Sequence, residues 1–215
     1  SKAVVFEYYP DTSIIKLHLP NGDEREIEIN PGWSFGKGNH PTTKLCIKAL
    51  ENLFKNEQIE SVLDVGCGSG VLSISAAALG AEQITAVDID NIIILEADSN
   101  IEKNGFLSIT KIILGSVEDV AGVFDLVVAN ILIRSILAIS EELKKRVKSR
   151  GTILLSGIKN EEKTQVNSFF GRRWPVKDRT NLLGDISPSG KSSHFALGRY
   201  GGAMNEAGRS RFYHQ

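Results

Sequence analysis

The sequence predicts an α/β protein: a mostly parallel, doubly wound sheet covered by helices on both faces, preceded by a small antiparallel segment. Three observations carry that expectation. From Ser61 onward, short apolar runs alternate with stretches of helical spacing, the order of β-α units in a parallel sheet. Glycines punctuate those stretches at Gly80, Gly105 and Gly151, where helices stop or the chain breaks. The first 30 residues instead alternate apolar and polar side chains between turn signals, as one-faced antiparallel strands do.

Val4 to Tyr9, Ile14 to Leu19 and Glu26 to Ile29 read as a β meander, with turns at Pro10-Asp11 and Asn21-Gly22. Gly32, Gly36, Gly38 and Pro41 make a loop before a helix over about 42–56. Ser61-Val62-Leu63-Asp64-Val65 is a buried strand ending in glycines, and residues 69–80, small and apolar, are the helix after it. Ile84 to Val87 is the next strand, and Ile92 to Lys103 the next helix, closed by Asn104-Gly105. Ile112 to Leu114 and Phe124 to Ala129 are two further strands. Ile131 to Val147 reads as one long amphipathic helix, with Thr152 to Leu155 a strand after the Gly151 break. Residues 161–170 read as a helix and His194 to Tyr200 as a closing strand, while 201–215 have no periodicity. The expected organisation is a meander over 1–30, one α/β domain over 31–200 and a flexible tail over 201–215.

With 41% hydrophobic and 24% charged residues and 20 glycines in 215, the composition excludes collagen-like, disordered and disulfide-scaffold classes. No apolar run approaches the roughly 20 residues of a membrane span, and the start does not read as a signal peptide. Two cysteines, Cys46 and Cys67, suit a reducing compartment and are too few for a cysteine-only metal cage. The expectation is a cytoplasmic protein with no membrane partner and no metal; oligomeric state leaves no mark in the sequence. Charge is uneven: residues 1–143 hold 10 Lys+Arg against 21 Asp+Glu, and residues 144–215 hold 15 against 5. Lys144, Lys145, Arg146, Lys148 and Arg150, followed by Arg172, Arg173 and Lys177, could face RNA or a polyanionic ribosomal partner. They could equally be helix-end cations complementing a dipole.

The strongest local signal is Asp64-Val65-Gly66-Cys67-Gly68-Ser69-Gly70, between a strand and a helix. Glycines there allow a tight turn and close approach to a ligand, and the following helix presents N–H groups. The G-x-G-x-G spacing of Gly66, Gly68 and Gly70 differs from the G-x-G-x-x-G of the dinucleotide fingerprint. Asp88 follows 18 residues after Gly70, at the end of the second strand, where a carboxylate can accept both hydroxyls of a ribose.

This combination resembles the class I S-adenosylmethionine-dependent methyltransferases. The resemblance implies a Rossmann-like, seven-stranded sheet, a glycine loop against the methionine part of S-adenosyl-L-methionine, and adenine contacts in Gly115-Ser116-Val117-Glu118-Asp119. Two further stretches narrow it. Asn30-Pro31-Gly32-Trp33-Ser34-Phe35-Gly36-Lys37-Gly38-Asn39-His40-Pro41-Thr42-Thr43 is similar to the loop before the catalytic core in the ribosomal protein L11 methyltransferase family. Val128-Ala129-Asn130-Ile131-Leu132, Ser156-Gly157-Ile158 and Asn100 to Gly105 also resemble that family. Asn30, Ser34 and Lys37 depart from its usual Asp, Ala and Thr. The similarity runs from about Asn30 to Ile158 and on toward Tyr200.

The resemblance implies cofactor contacts at Thr43, Gly66, Asp88 and Asn130, with Asp64, Gly68, Gly70 and Ser116 alongside, and places Asn130 at the methyl-transfer centre. Thr43, in a first helical turn, would meet the cofactor carboxylate. His40 could be a base, though a histidine capping the Thr42 helix is the simpler reading. Trp33 and Phe35 could shield a sulfonium by cation–π contact or close the core. The implied activity is methylation of lysine or N-terminal amines of a protein, with a ribosomal protein L11-like substrate. The alternatives are an RNA or small-molecule methyltransferase, with RNA held by the basic C-terminal half, and a non-catalytic binding module. An N-P-P-Y signature is absent after Asn130, which argues against planar amide acceptors. Full enzymes of the family carry an N-terminal recognition domain, which thirty residues would be too few to form; a catalytic domain without it is therefore expected.

Overall fold

The structure, a computed structural model, describes residues 12–30, 32, 38, 40–158, 162–170 and 194–199. β1 (Ser13–His18) and β2 (Glu24–Ile29) form an antiparallel hairpin. Its turn contains Gly22 at φ +94°, whose N–H donates to the Leu19 carbonyl; a left-handed residue is what this turn requires. The expected first meander strand, Val4 to Tyr9, lies outside the described residues, as does the tail 201–215.

After α1 (Pro41–Asn56), the sheet is built from β3 (Ser61–Val65), β4 (Gln83–Asp88), β5 (Thr110–Leu114), β6 (Phe124–Ala129), β7 (Val147–Ile158) and β8 (His194–Arg199). The helices between them are α2 (Val71–Leu79), α3 (Asn91–Lys103), α4 (Ile133–Ala138), α5 (Ser140–Arg146) and α6 (Lys163–Phe170). Strand order is β5-β4-β3-β6-β7-β8, with β8 alone antiparallel. The mostly parallel, doubly wound sheet expected from sequence is present. The described residues supply six strands, where the resemblance implied seven.

Period-2 burial explains why helices cover both faces. Val62, Ala86, Leu126, Val128 and Leu154 join one core with α1, α2, α3 and the hairpin. Leu63, Val65, Val127, Ile153 and Leu155 join the other with α4, α5 and α6. The winding reverses between β3 and β6, whose parallel register sets Val65 opposite Ala129. A crevice outside the carboxyl ends of strands at such a switch point is where open α/β sheets bind ligands.

Two sequence expectations need correction. The long helix over Ile131 to Val147 is two helices, broken at Ile139 (φ −106°, ψ 11°). There the Ser140 hydroxyl donates to the Leu137 carbonyl at 3.0 Å, a local bond that competes with continuing the helix. The strand expected at Thr152 to Leu155 is the middle of the longer β7. Phe124 pairs with Val147 and Leu126 with Thr152, so three extra residues bulge out on β7, with Arg150 at φ 67°. Gly151 lies inside that bulge rather than before the strand; a Cβ on it would stand 2.9 Å from the Asp125 carbonyl oxygen.

Candidate active site

The carboxyl edge of the sheet holds a cavity of about 870 Å³ between the glycine loop, the ends of β4, β5 and β6, and the start of α1. Each glycine of the G-x-G-x-G motif is left-handed: Gly66 at φ 71°, Gly68 at 56° and Gly70 at 80°. This alternation explains the spacing, since only glycine takes that conformation without cost. Gly66 and Cys67 both donate backbone N–H bonds to the Val87 carbonyl, at 2.8 and 3.1 Å, pinning the loop to β4. A Cβ on Gly66 would overlap the Ile131 side chain, and one on Gly157 would lie 3.0 Å from the Ile131 carbonyl oxygen. Ile131 is thus wedged between two glycines, which gives the resemblances at both 128–132 and 156–158 a steric reason.

Asp88 ends β4 with its carboxylate toward the loop. Oδ2 accepts from the Gly68 N–H and Oδ1 from the Asp90 N–H, each at 3.2 Å. Thr43 is fully buried in the first turn of α1, its Oγ1 3.5 Å from Asn130 Nδ2. That separation is the outer limit of a hydrogen bond, and it leaves Asn130 Oδ1 as the acceptor on the other side of the amide. Ser116 caps the turn Val117–Asp119: its N–H donates to Asp119 Oδ2 at 2.8 Å and its Oγ accepts from the Glu118 N–H at 3.3 Å.

Thr43, Gly66, Gly68, Asp88, Ser116 and Asn130 therefore come together on one cavity, and Asp64 and Gly70 do not line it. Asp64 shares the face of Val62, beneath α2, and is buried. Its Oδ2 accepts from the Ser73 hydroxyl at 2.7 Å and the Ser73 N–H at 3.0 Å. Burial pushes its carboxyl up to about 6, against the opposing pull of those two bonds. Gly70 is the left-handed N-cap of α2. Both shape the loop from below.

His40 does cap α1: its Nδ1 accepts from the Thr42 N–H at 3.3 Å and lies 2.7 Å from Thr42 Oγ1. That nitrogen is committed to the helix start and is not poised as a base. Burial holds the Cys67 thiol well above the usual range and pushes Cys46 up to about 12, so neither is a thiolate nucleophile near neutral pH. Trp33 and Phe35 lie outside the described residues. Sequence reasoning missed the apolar Ile89, Ile93 and Ile139 and the polar Ser135 of the lining; Ser135 and Ile139 lie on α4 and at its junction with α5, a break that the apolar spacing does not reveal. The described lining residues include Asp88 and Asp90 and no Lys or Arg.

Lys144 and Lys145 of α5 pair within their own helix, Arg146 pairs there and also donates to the Val117 and Glu118 carbonyls, and Lys148 lies on β7. Lys144 pairs with Glu141 at 2.7 Å, Lys145 with Glu142 at 2.6 Å, Arg146 with Glu142 at 3.7 Å, and Lys148 with Asp125 at 2.9 Å. Burial raises the Asp125 carboxyl, but Lys148 and Ser61 outweigh that and hold it below its ordinary value. Of the basic residues singled out in the sequence, Arg172, Arg173 and Lys177 lie outside the described residues. No helix among the described residues is long and apolar enough to cross a membrane.

The profile of the family described as Ribosomal protein L11 methyltransferase (PrmA) matches residues 12–182. A ribosomal protein L11 methyltransferase of an Exiguobacterium species is 43% identical over 152 residues, 70% of this chain and 48% of that protein. One of a Geobacter species is 45% identical over 157 residues, 71% of this chain and 51% of the other. The chain spans about half the length of these curated relatives. Among solved structures, a ribosomal protein L11 methylase from Lactobacillus delbrueckii subsp. bulgaricus matches with a TM-score of 0.66 at 29% identity, over 80% of this chain and 84% of that one. The N-methyltransferase NodS from Bradyrhizobium japonicum, in complex with S-adenosyl-L-homocysteine, shares the fold at a TM-score of 0.57 and 16% identity, over 75% of this chain and 89% of its own.

Proposed function

The chain belongs to the ribosomal protein L11 methyltransferase family, and from that premise we propose that it binds S-adenosyl-L-methionine and methylates an amine nitrogen of a protein, ribosomal protein L11 being the proposed acceptor. One observation carries the reading: the Asp88 carboxylate, the left-handed Gly66 and Gly68, and Asn130 converge on a cavity whose described lining has no Lys or Arg. A dinucleotide or nucleoside polyphosphate would bring phosphates that no Lys or Arg among the described lining residues meets. A ribose and a sulfonium suit an acidic, largely apolar cleft. Residues 31–200 would be the methyltransferase unit and the hairpin segment its accessory.

The donor set fits this cofactor. Asp88 would accept from the ribose hydroxyls, the Gly66–Gly68 backbone would lie against the methionine part, Ser116 and Val117 would border the adenine, and Thr43 would sit near the carboxylate. When bound, the cofactor supplies an activated methyl group on a good leaving group. The chain's own residues then orient and desolvate the acceptor. A lysine amine near pKa 10.4 costs about 4.6 kcal/mol to deprotonate at pH 7. The apolar walls formed by Ile131, Leu132 and Ile139 lower that cost by disfavouring the ammonium. Asn130 Oδ1 would accept a hydrogen bond from the amine N–H and aim its lone pair.

Asn130→Ala should therefore reduce turnover about tenfold while cofactor affinity changes less than threefold. Equal losses in both would confine Asn130 to holding the cofactor. The reading as a whole is tested by calorimetry with S-adenosyl-L-homocysteine and by label transfer from S-adenosyl-L-methionine to purified ribosomal protein L11 against naked RNA. Label in RNA alone would overturn the protein-amine assignment. Because the α5 cations are already paired within the helix, Lys144→Ala/Lys145→Ala should change label transfer less than twofold at either low or high salt. A large, salt-dependent loss would reinstate them as a partner surface.

A further inference from the structure

One face of α3 carries Glu96, Asn100 and Asn104 at successive four-residue steps, and each meets the backbone of the segment leaving β2. Asn104 Oδ1 accepts from the Glu28 N–H at 3.0 Å while its Nδ2 donates to the Glu28 carbonyl at 2.7 Å. Asn100 does the same for Asn30, at 2.9 and 3.3 Å. Glu96 Oε1 accepts from the Gly32 N–H at 3.1 Å, and a Cβ on Gly32 would collide with that carboxylate. Four helical residues rise about 6.0 Å and two extended residues about 6.6 Å, so alternate backbone positions fall opposite successive turns. The helix serves the edge of β2 as a second strand would.

Asn100 differs from its neighbours on this row. It is fully buried, and its Nδ2 also donates to the Ser69 carbonyl at 3.0 Å, inside the glycine loop. One amide thus ties Asn30, at the end of β2, to the glycine loop that borders the cavity. We propose that Asn100 is a positioning residue for the cofactor cavity, fixing the Gly66–Gly70 loop against Asn30 at the end of β2, whereas Asn104 docks Glu28 of the hairpin and, by a 2.8 Å bond to the Asn100 carbonyl, closes its own helix end. The inference rests on the cofactor reading above for its consequence, though not for its geometry.

The pair Asn100→Ala and Asn104→Ala separates the two roles, because both remove a bidentate bond to the backbone of β2 or of the residue just after it, and only the first touches the loop. In ligand-free protein, amide exchange at Gly68 and Gly70 should speed at least fivefold in Asn100→Ala and less than twofold in Asn104→Ala. The Kd for S-adenosyl-L-homocysteine should rise at least fivefold in the first and less than twofold in the second, with both lowering Tm. Asn100→Asp, which fills the same space but cannot donate to Ser69, should reproduce the exchange effect if the alanine variant folds poorly. Equal exchange at the loop in both alanine variants would overturn the proposal. If the unmodified protein fails to bind S-adenosyl-L-homocysteine, the cofactor reading fails while the exchange measurement still decides the role of Asn100.

Discussion

Asp88→Ala is expected to weaken binding of S-adenosyl-L-homocysteine at least tenfold while leaving the fold intact. The carboxylate stands at the end of β4 with Oδ1 and Oδ2 held by the Asp90 and Gly68 N–H groups at 3.2 Å, which aims it into the cavity. Each hydroxyl bond to a charged acceptor contributes about 1.5–3 kcal/mol, and every 1.4 kcal/mol is about tenfold in affinity. Asp88→Asn retains an acceptor for Gly68 and should fall between the two. Calorimetry on all three proteins, with Tm as the control, checks the order. Wild-type affinity in Asp88→Ala would remove this residue from the site and leave the cavity without its ribose partner.

The second large effect concerns stability. Burial raises the Asp64 carboxyl from 3.8 to about 6, so between pH 4 and pH 6 the folded protein keeps a proton that the unfolded chain has released. Raising pH through that window therefore destabilises the fold, by about 3 kcal/mol for roughly two pKa units, and the loss is complete above pH 7. Asp64→Asn removes this slope. Its oxygen can still accept from Ser73, so urea midpoints at pH 4.5 and pH 7.5 should show the variant gaining on the parent at the higher pH. The difference between the two proteins isolates Asp64 from every other titrating group. Parallel pH profiles would mean that the carboxylate is solvated or paired.

The same residue shows where sequence reading stops. The motif 64–70 announced the cavity correctly as a place on the chain, because three left-handed glycines at alternate positions leave a mark in any sequence. It could not separate glycines that face a ligand from Gly70, which caps a helix, or a carboxylate in the cleft from one beneath it. Strand phase decides that: Asp64 is in step with Val62 and points to α2, and Ser73 is nine residues away. The parallel sheet was legible because its strands are apolar on both faces. The break at Ile139 was not, since a serine hydroxyl bonding to Leu137 leaves the apolar spacing nearly unchanged. Asn100 stood in a stretch already noted, yet its side chain's two partners, Asn30 and Ser69, are separated from it by 70 and 31 residues.

The row of side chains on α3 also acts as a gauge of length. Its pitch is shorter than that of the extended chain opposite by about 0.6 Å per step, so the two scales drift like those of a vernier. At Glu28 both bonds are short, at Asn30 one has stretched to 3.3 Å, and at Gly32 the longer Glu96 takes the N–H at 3.1 Å. One turn further on, the row reaches Ile92, which has nothing polar to offer. The coincidence therefore lasts three readings, long enough to set where the chain leaves β2. A one-residue insertion at Asn30 would turn the next N–H away from α3 and lose the reading, whereas one placed beyond Gly32 would leave the scale untouched.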